Sequence, residues 1–170
     1  MNILVTYASR AGSTAGVAER IGKILSKKGE DVTVKPMSEV KDLSEYDAYV
    51  TGSAIQGASW LPEAMEFIRR HQEVFMEKPC ATFTVCMTMA MKKGEKYRAG
   101  IQEWLTPVRA ITNPVSEGIF AGALDLSKVP SKSDRAKFRI SILLGFWKEG
   151  DHRKWDRIEQ WASHLPELFV

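Results

Sequence analysis

The run Ser9-Arg10-Ala11-Gly12-Ser13-Thr14 is the part of this chain best suited to hold an anion. Ser9, Ser13 and Thr14 can donate hydroxyl hydrogen bonds, and Gly12 lets the backbone approach a ligand closely. The run follows an apolar segment, Ile3-Leu4-Val5-Thr6-Tyr7, short and unbroken as a strand buried on both faces would be. It precedes Val17, Ile21, Ile24 and Leu25, spaced as on a helix that covers a core. Strand, tight loop and helix N-terminus in that order make an anion cradle. The first helical N–H groups lack intrahelical partners, and the helix dipole adds partial positive charge there. The same residues also suit an ordinary strand-to-helix turn capped by Thr14 or Ser13, so the stretch alone leaves both readings open.

Two further small-residue loops follow apolar strands. Ala48-Tyr49-Val50-Thr51 runs into Gly52-Ser53-Ala54-Ile55-Gln56-Gly57-Ala58-Ser59-Trp60, with a helix expected from about Pro62. Ala81 to Val85 runs into Cys86-Met87-Thr88-Met89-Ala90, with a helix expected from about Glu95 to Arg109. Asp31 to Lys35 alternates as an edge strand, Gly118 to Ala121 forms a fifth strand, and Trp155 to Leu165 a last helix. This alternation predicts an α/β fold: an open, doubly wound, five-stranded parallel sheet in the order 2-1-3-4-5. All three loops then lie at the carboxyl ends of strands, where such sheets bind ligands. Their convergence favours the phosphate reading of the first.

The gross numbers fit a single domain spanning residues 1–170. With 44% apolar and 26% charged residues the composition is that of a globular protein, and a net charge of +3 gives no general case for nucleic acid. No apolar run reaches the roughly 20 residues of a membrane span, and the first strand begins at once, without a basic leader. Cys80 and Cys86 would stand about 20 Å apart along one strand, too far for a disulfide. They read as buried thiols, consistent with a reducing, cytoplasmic setting. No cysteine or histidine spacing suggests a metal.

Several nucleotide-binding and phosphate-binding types are excluded by the residues at the strand ends. No Gly-Lys-Ser/Thr comes after the first strand, and only Gly12 and Gly16 are present where a dinucleotide fingerprint needs three glycines. Asp47 precedes its strand, where a phosphoacceptor would stand after it, and neither cysteine opens a Cys-x5-Arg loop.

Ser9-Arg10-Ala11-Gly12-Ser13-Thr14 resembles the flavodoxin Thr/Ser-x-Thr-Gly-x-Thr loop that holds the phosphate of FMN. Ala11 departs from that pattern, and Arg10 is expected to supply the missing contact. The other two loops resemble those that sandwich the isoalloxazine ring. The resemblance therefore implies FMN held by Ser9 to Thr14, by Ser53, Ala54, Ile55, Gln56 and Trp60, by Cys86, Met87 and Thr88, and by Gly122. Trp60 is read as an aromatic contact with the ring or as an anchor packed under the next helix. Tyr46-Asp47 with Gly52 to Ile55, then Ala121-Gly122-Ala123-Leu124 and a long segment before Trp155, are similar to the flavodoxin-like menaquinone-dependent protoporphyrinogen dehydrogenases. This implies an FMN-dependent oxidoreductase acting on protoporphyrinogen IX or a related substrate, with electrons passed to a quinone. No side chain need act as acid or base, because the flavin carries the chemistry. The alternatives are a small electron carrier, exchanging electrons with a redox protein, and a cofactor-free interaction module.

Residues 122–150 form an insertion, too long for an ordinary connection. It holds six basic against three acidic side chains, a net of +3, together with Phe138, Ile140, Ile142, Leu143, Leu144, Phe146 and Trp147. Residues 135–148 would suit an anionic membrane surface, an apolar partner or a flat acidic substrate such as a porphyrin. Otherwise the segment is a helix packed on its own domain or across a homodimer.

Overall fold

In the computed structural model, which describes all 170 residues, five strands make one parallel sheet. They are β1 (Asn2–Ala8), β2 (Asp31–Pro36), β3 (Ala48–Gln56), β5 (Cys80–Val85) and β6 (Ser116–Phe120). Their order is β2-β1-β3-β5-β6, and a short β4 (Ser59–Trp60) pairs antiparallel with β3. Counting only the parallel strands, this is the order the sequence predicts.

Alternation along β1 sorts its side chains between two layers. Ile3 and Val5 join Ala48, Val50, Ala81, Phe83 and Val85 under α1 (Ser13–Lys27) and α7 (Trp155–Leu168). Leu4 joins Tyr49, Leu61, Ile68, Ile101 and Val108 on the opposite face. There α2 (Pro62–Arg70), α3 (Gln72–Glu77), α4 (Arg98–Trp104) and α5 (Thr106–Thr112) cover the sheet. Gly52 stands beside Phe83 in register, and a Cβ there would collide with the Phe83 ring. A side chain at 52 would expel that ring from the core.

Three expected boundaries shift. β3 runs on to Gln56, so Gly52 to Ile55 are strand and not loop; the turn is a two-residue hairpin, Gly57-Ala58, with φ 59° at both. Positive φ at both central residues matches the strand twist of a tight hairpin. The helix after Pro62 breaks at His71 into α2 and α3. The helix expected over 95–109 begins as a 3-10 turn, Gly94–Tyr97, and divides at Leu105 into α4 and α5. Pro107 is the reason: it has no N–H to continue the ladder, and its ring collides with the carbonyl four residues back.

The insertion opens and closes with a small antiparallel pair, β7 (Ala123–Leu124) and β8 (Gly150–Asp151). Between them α6 (Lys132–Leu143) starts at Ser131, whose Oγ accepts the Asp134 N–H at 3.3 Å. No residue of α6 is fully buried: Phe138 and Ile142 are half-buried, while Ile140 and Leu143 are exposed. No helix in the molecule is long and apolar enough to cross a membrane.

Candidate functional site

Because the five strands are parallel, the turns after β1, β3 and β5 and the residues after β6 share one rim of the sheet. At the first turn Ser9 Oγ accepts the Gly12 N–H at 3.0 Å, closing the loop on itself. Gly12 is left-handed (φ 88°), and a Cβ on it would meet nothing within 4 Å. The α1 ladder begins with the Gly16 N–H donating to the Gly12 carbonyl at 3.1 Å. No side chain caps α1, so neither Ser13 nor Thr14 serves as the helix cap. The first-turn amides are thus available to an anion.

Gly122 joins this turn to its neighbours. A Cβ there would lie 3.0 Å from Ser13 Oγ, 3.0 Å from Val85 Cγ1 and 3.3 Å from Met87 Sδ. The Cys86 N–H donates to the Phe120 carbonyl at 2.9 Å, tying the third turn to β6. Met87 and Thr88 lie half-buried in a 3-10 turn, Met87–Ala90, while Cys86 itself is buried. Gln56 is exposed at the hairpin tip, opposite Ser59, and Ala54 and Ile55 are half-buried behind it.

Three expected ligand-facing side chains are engaged elsewhere. Arg10 forks onto both carboxylate oxygens of Glu63 on α2, so its guanidinium is engaged there and is not free to stand in for the hydroxyl that Ala11 lacks. Partial burial works against ionisation of Glu63, but the Arg10 hydrogen bonds prevail and hold its carboxyl below the usual range. Ser53 is fully buried; its Oγ donates to the Ala54 carbonyl at 2.8 Å and accepts the Leu61 N–H at 3.1 Å. Trp60 is 1% exposed, and its indole N–H donates to Thr84 Oγ1 at 2.9 Å. The hairpin places Trp60 opposite Ile55 and turns its ring into the core, where it anchors the start of α2 and is not presented at the rim. Burial of the large ring with its one donor satisfied outweighs its exposure at the turn.

Arg153, just before α7, was not indicated by the sequence. Its Nη1 donates to the Ser13 carbonyl at 3.3 Å, across 140 residues of chain. Asp151 holds the guanidinium through both carboxylate oxygens, at 2.8 Å each, and the Trp155 ring lies 4.5 Å from it. The Arg153 hydrogen bonds prevail over partial burial and hold the Asp151 carboxyl below the usual range. No spacing rule connects a cation before the last helix to the first turn of α1. On the other side of that turn, a cleft of about 270 Å³ opens between the ends of β1 and β2 and α2, lined by Tyr7, Ser9, Met37, Glu63, Phe67 and Arg70.

Residues 4–140 match a family model described as a flavodoxin domain. No curated protein matches the sequence. Among solved structures, a flavodoxin from Archaea is 20% identical with a TM-score of 0.55, over 98% of this chain and 97% of that one. A short-chain flavodoxin associated with a non-canonical PDU bacterial microcompartment is 14% identical with a TM-score of 0.59, over 100% and 99%. A Fusobacterium nucleatum flavodoxin bound to flavin mononucleotide is 14% identical with a TM-score of 0.55, over 99% of both chains. At these identities the structural likeness establishes the fold.

Proposed function

This chain belongs to the flavodoxin domain family, and from that premise we propose that it binds FMN at the rim formed by the first turn, the hairpin, the third turn and Gly122. The observation that carries this reading is the uncapped α1 N-terminus behind a left-handed Gly12. Such a terminus offers backbone donors and partial positive charge to a phosphate. The residues fit the group. Gly12 leaves open space at the phosphate position, and Gly122 keeps Ser13 and Met87 close together. Ser13, Thr14 and the first-turn amides would hold the phosphate. Backbone groups of Gln56 to Ala58 and of Met87 and Thr88 would face the ring's polar edge.

Bound FMN supplies reversible acceptance of a hydride or of single electrons. The protein's part is to hold, orient and shield it. The core position of Trp60 braces the hairpin from below, and the Cys86 to Phe120 hydrogen bond fixes the third turn against β6.

The finer assignment is an oxidoreductase that takes electrons from protoporphyrinogen IX or a related substrate and passes them to a quinone. Its support is the resemblance over Tyr46-Asp47, Gly52 to Ile55 and Ala121 to Leu124, together with a basic insertion, whose charge suits a carboxylated macrocycle. A carrier exchanging electrons with a redox protein is the competing assignment.

Calorimetry with FMN and with riboflavin tests the site. The expected result is a yellow complex with FMN and at least about tenfold weaker binding of riboflavin, since a charge-assisted hydrogen bond contributes about 1.5–3 kcal/mol. Protein that stays colourless in excess FMN would sink the proposal. Flavin bleaching on mixing with protoporphyrinogen, with reoxidation by menaquinone, separates enzyme from carrier.

A further inference from the structure

The insertion ends in an apolar surface that nothing in the molecule covers. Leu143 is 86% exposed, Leu144 66%, Ile140 58% and Phe146 56%. Backbone hydrogen bonds close the end of the helix beneath this surface. The Gly145 N–H donates to the Ile142 carbonyl and the Phe146 N–H to the Ser141 carbonyl, each at 3.0 Å, with Gly145 left-handed (φ 79°). That pairing is a Schellman closure, and it fixes the direction in which Phe146 leaves the helix. Phe138 and Trp147 pack edge to face at 6.4 Å on the inner side. There Arg135 also donates to the Val129 carbonyl at 2.6 Å.

The exposed residues of α6 are Lys132, Ser133, Ala136, Lys137, Arg139, Ile140 and Leu143. At about 100° per residue, Ala136, Ile140 and Leu143 form one stripe, with Lys132 and Arg139 along one flank and Lys137 beyond Leu144 on the other. None of these outward side chains is a carboxylate; the only acid of the helix, Asp134, is half-buried and within 3.6 Å of Lys137. An apolar stripe bordered by cations on both sides complements a surface that is apolar within and anionic at its edge.

We infer that the α6 face, through Ile140, Leu143, Leu144 and Phe146 and the cations beside them, docks on an anionic lipid bilayer. The apolar side chains enter the headgroup boundary while the lysine and arginine stems reach back to the phosphates. A second copy of this chain fits the face less well. Symmetric pairing would set each basic flank against another with no carboxylate to neutralise it. The inference is independent of the flavin reading.

Sedimentation of the full chain with vesicles tests it. Binding is expected with vesicles of mixed phosphatidylglycerol and phosphatidylcholine, weakened by salt, and not with phosphatidylcholine alone. The double variant Leu143→Ser, Phe146→Ser should weaken binding by at least about tenfold, because each side chain contributes a large apolar area. Lys132→Gln and Arg139→Gln should each weaken it by about fivefold. All four positions are exposed, and far-UV circular dichroism confirms that the variants fold. Three results overturn the inference: no binding to anionic vesicles, which leaves a protein partner; undiminished binding by the serine variant; or a dimer in solution that the serine variant dissociates.

Discussion

Arg153 lies over Gly16: a Cβ on Gly16 would sit 2.5 Å from the Arg153 Nη1. The guanidinium has little freedom to retreat, being held by Asp151 and stacked beside Trp155. Alanine would otherwise improve this helical position by about 1 kcal/mol over glycine. Gly16→Ala is therefore expected to be neutral or destabilising in the native chain and stabilising by about 1 kcal/mol in an Arg153→Ala background. Urea unfolding of the four proteins in the cycle measures this coupling; equal effects in both backgrounds would show that the contact is inconsequential.

Thr6 and Thr51 are register partners on β1 and β3, and each buries a hydroxyl oxygen that has no hydrogen-bond partner. An unpaired buried hydroxyl costs free energy that a methyl group of the same shape does not. Thr6→Val and Thr51→Val are each expected to raise stability by about 1 kcal/mol, read as an increase in the urea midpoint with unchanged slope. A lowered midpoint would mean that the hydroxyls are satisfied.

Ala58 has φ 59° at the hairpin tip, where a side chain is disfavoured by about 1–2 kcal/mol. Since it is exposed and its Cβ serves no packing role, Ala58→Gly should stabilise by about 1 kcal/mol. Thermal or urea unfolding checks the sign. If the hairpin borders a flavin, the same variant should alter FMN affinity more than a surface change elsewhere.

Glu95 links the turn before α4 to α7 through Arg98 and Arg157. The Arg98 hydrogen bonds, aided by Arg157 and opposed by slight burial, lower its carboxyl from 4.5 to about 2. A lowered carboxylate pKa stabilises the fold above the unfolded value and loses that contribution as pH falls through the folded one. The group is exposed, so the gain is under about 1 kcal/mol. The stability gap between the native chain and Glu95→Gln should be full near neutrality, shrink below about pH 4.5, and close near pH 2. A gap that persists in acid would refute the linkage.

The architecture was legible in the sequence because it rests on local signals. Apolar runs such as Ile3 to Val5 and helical spacing such as Val17, Ile21 and Leu25 alternate along the chain, and few sheet orders satisfy right-handed crossovers. Parallel strands then bring Gly12, the hairpin and Cys86 to one rim whatever their side chains do.

Tertiary structure alone decided what each side chain at that rim meets. Arg10 turned to Glu63, Ser53 to the Leu61 amide and Trp60 to Thr84, while Arg153 came from the far end of the chain to the first helical turn. It also decided that α6 leaves Ile140 and Leu143 exposed, where its composition also fitted a helix packed on its own domain. The physical reason is one of range. Periodicity is set by neighbours a few residues apart, whereas burial and pairing of a polar or aromatic group depend on which distant atoms the folded chain places against it.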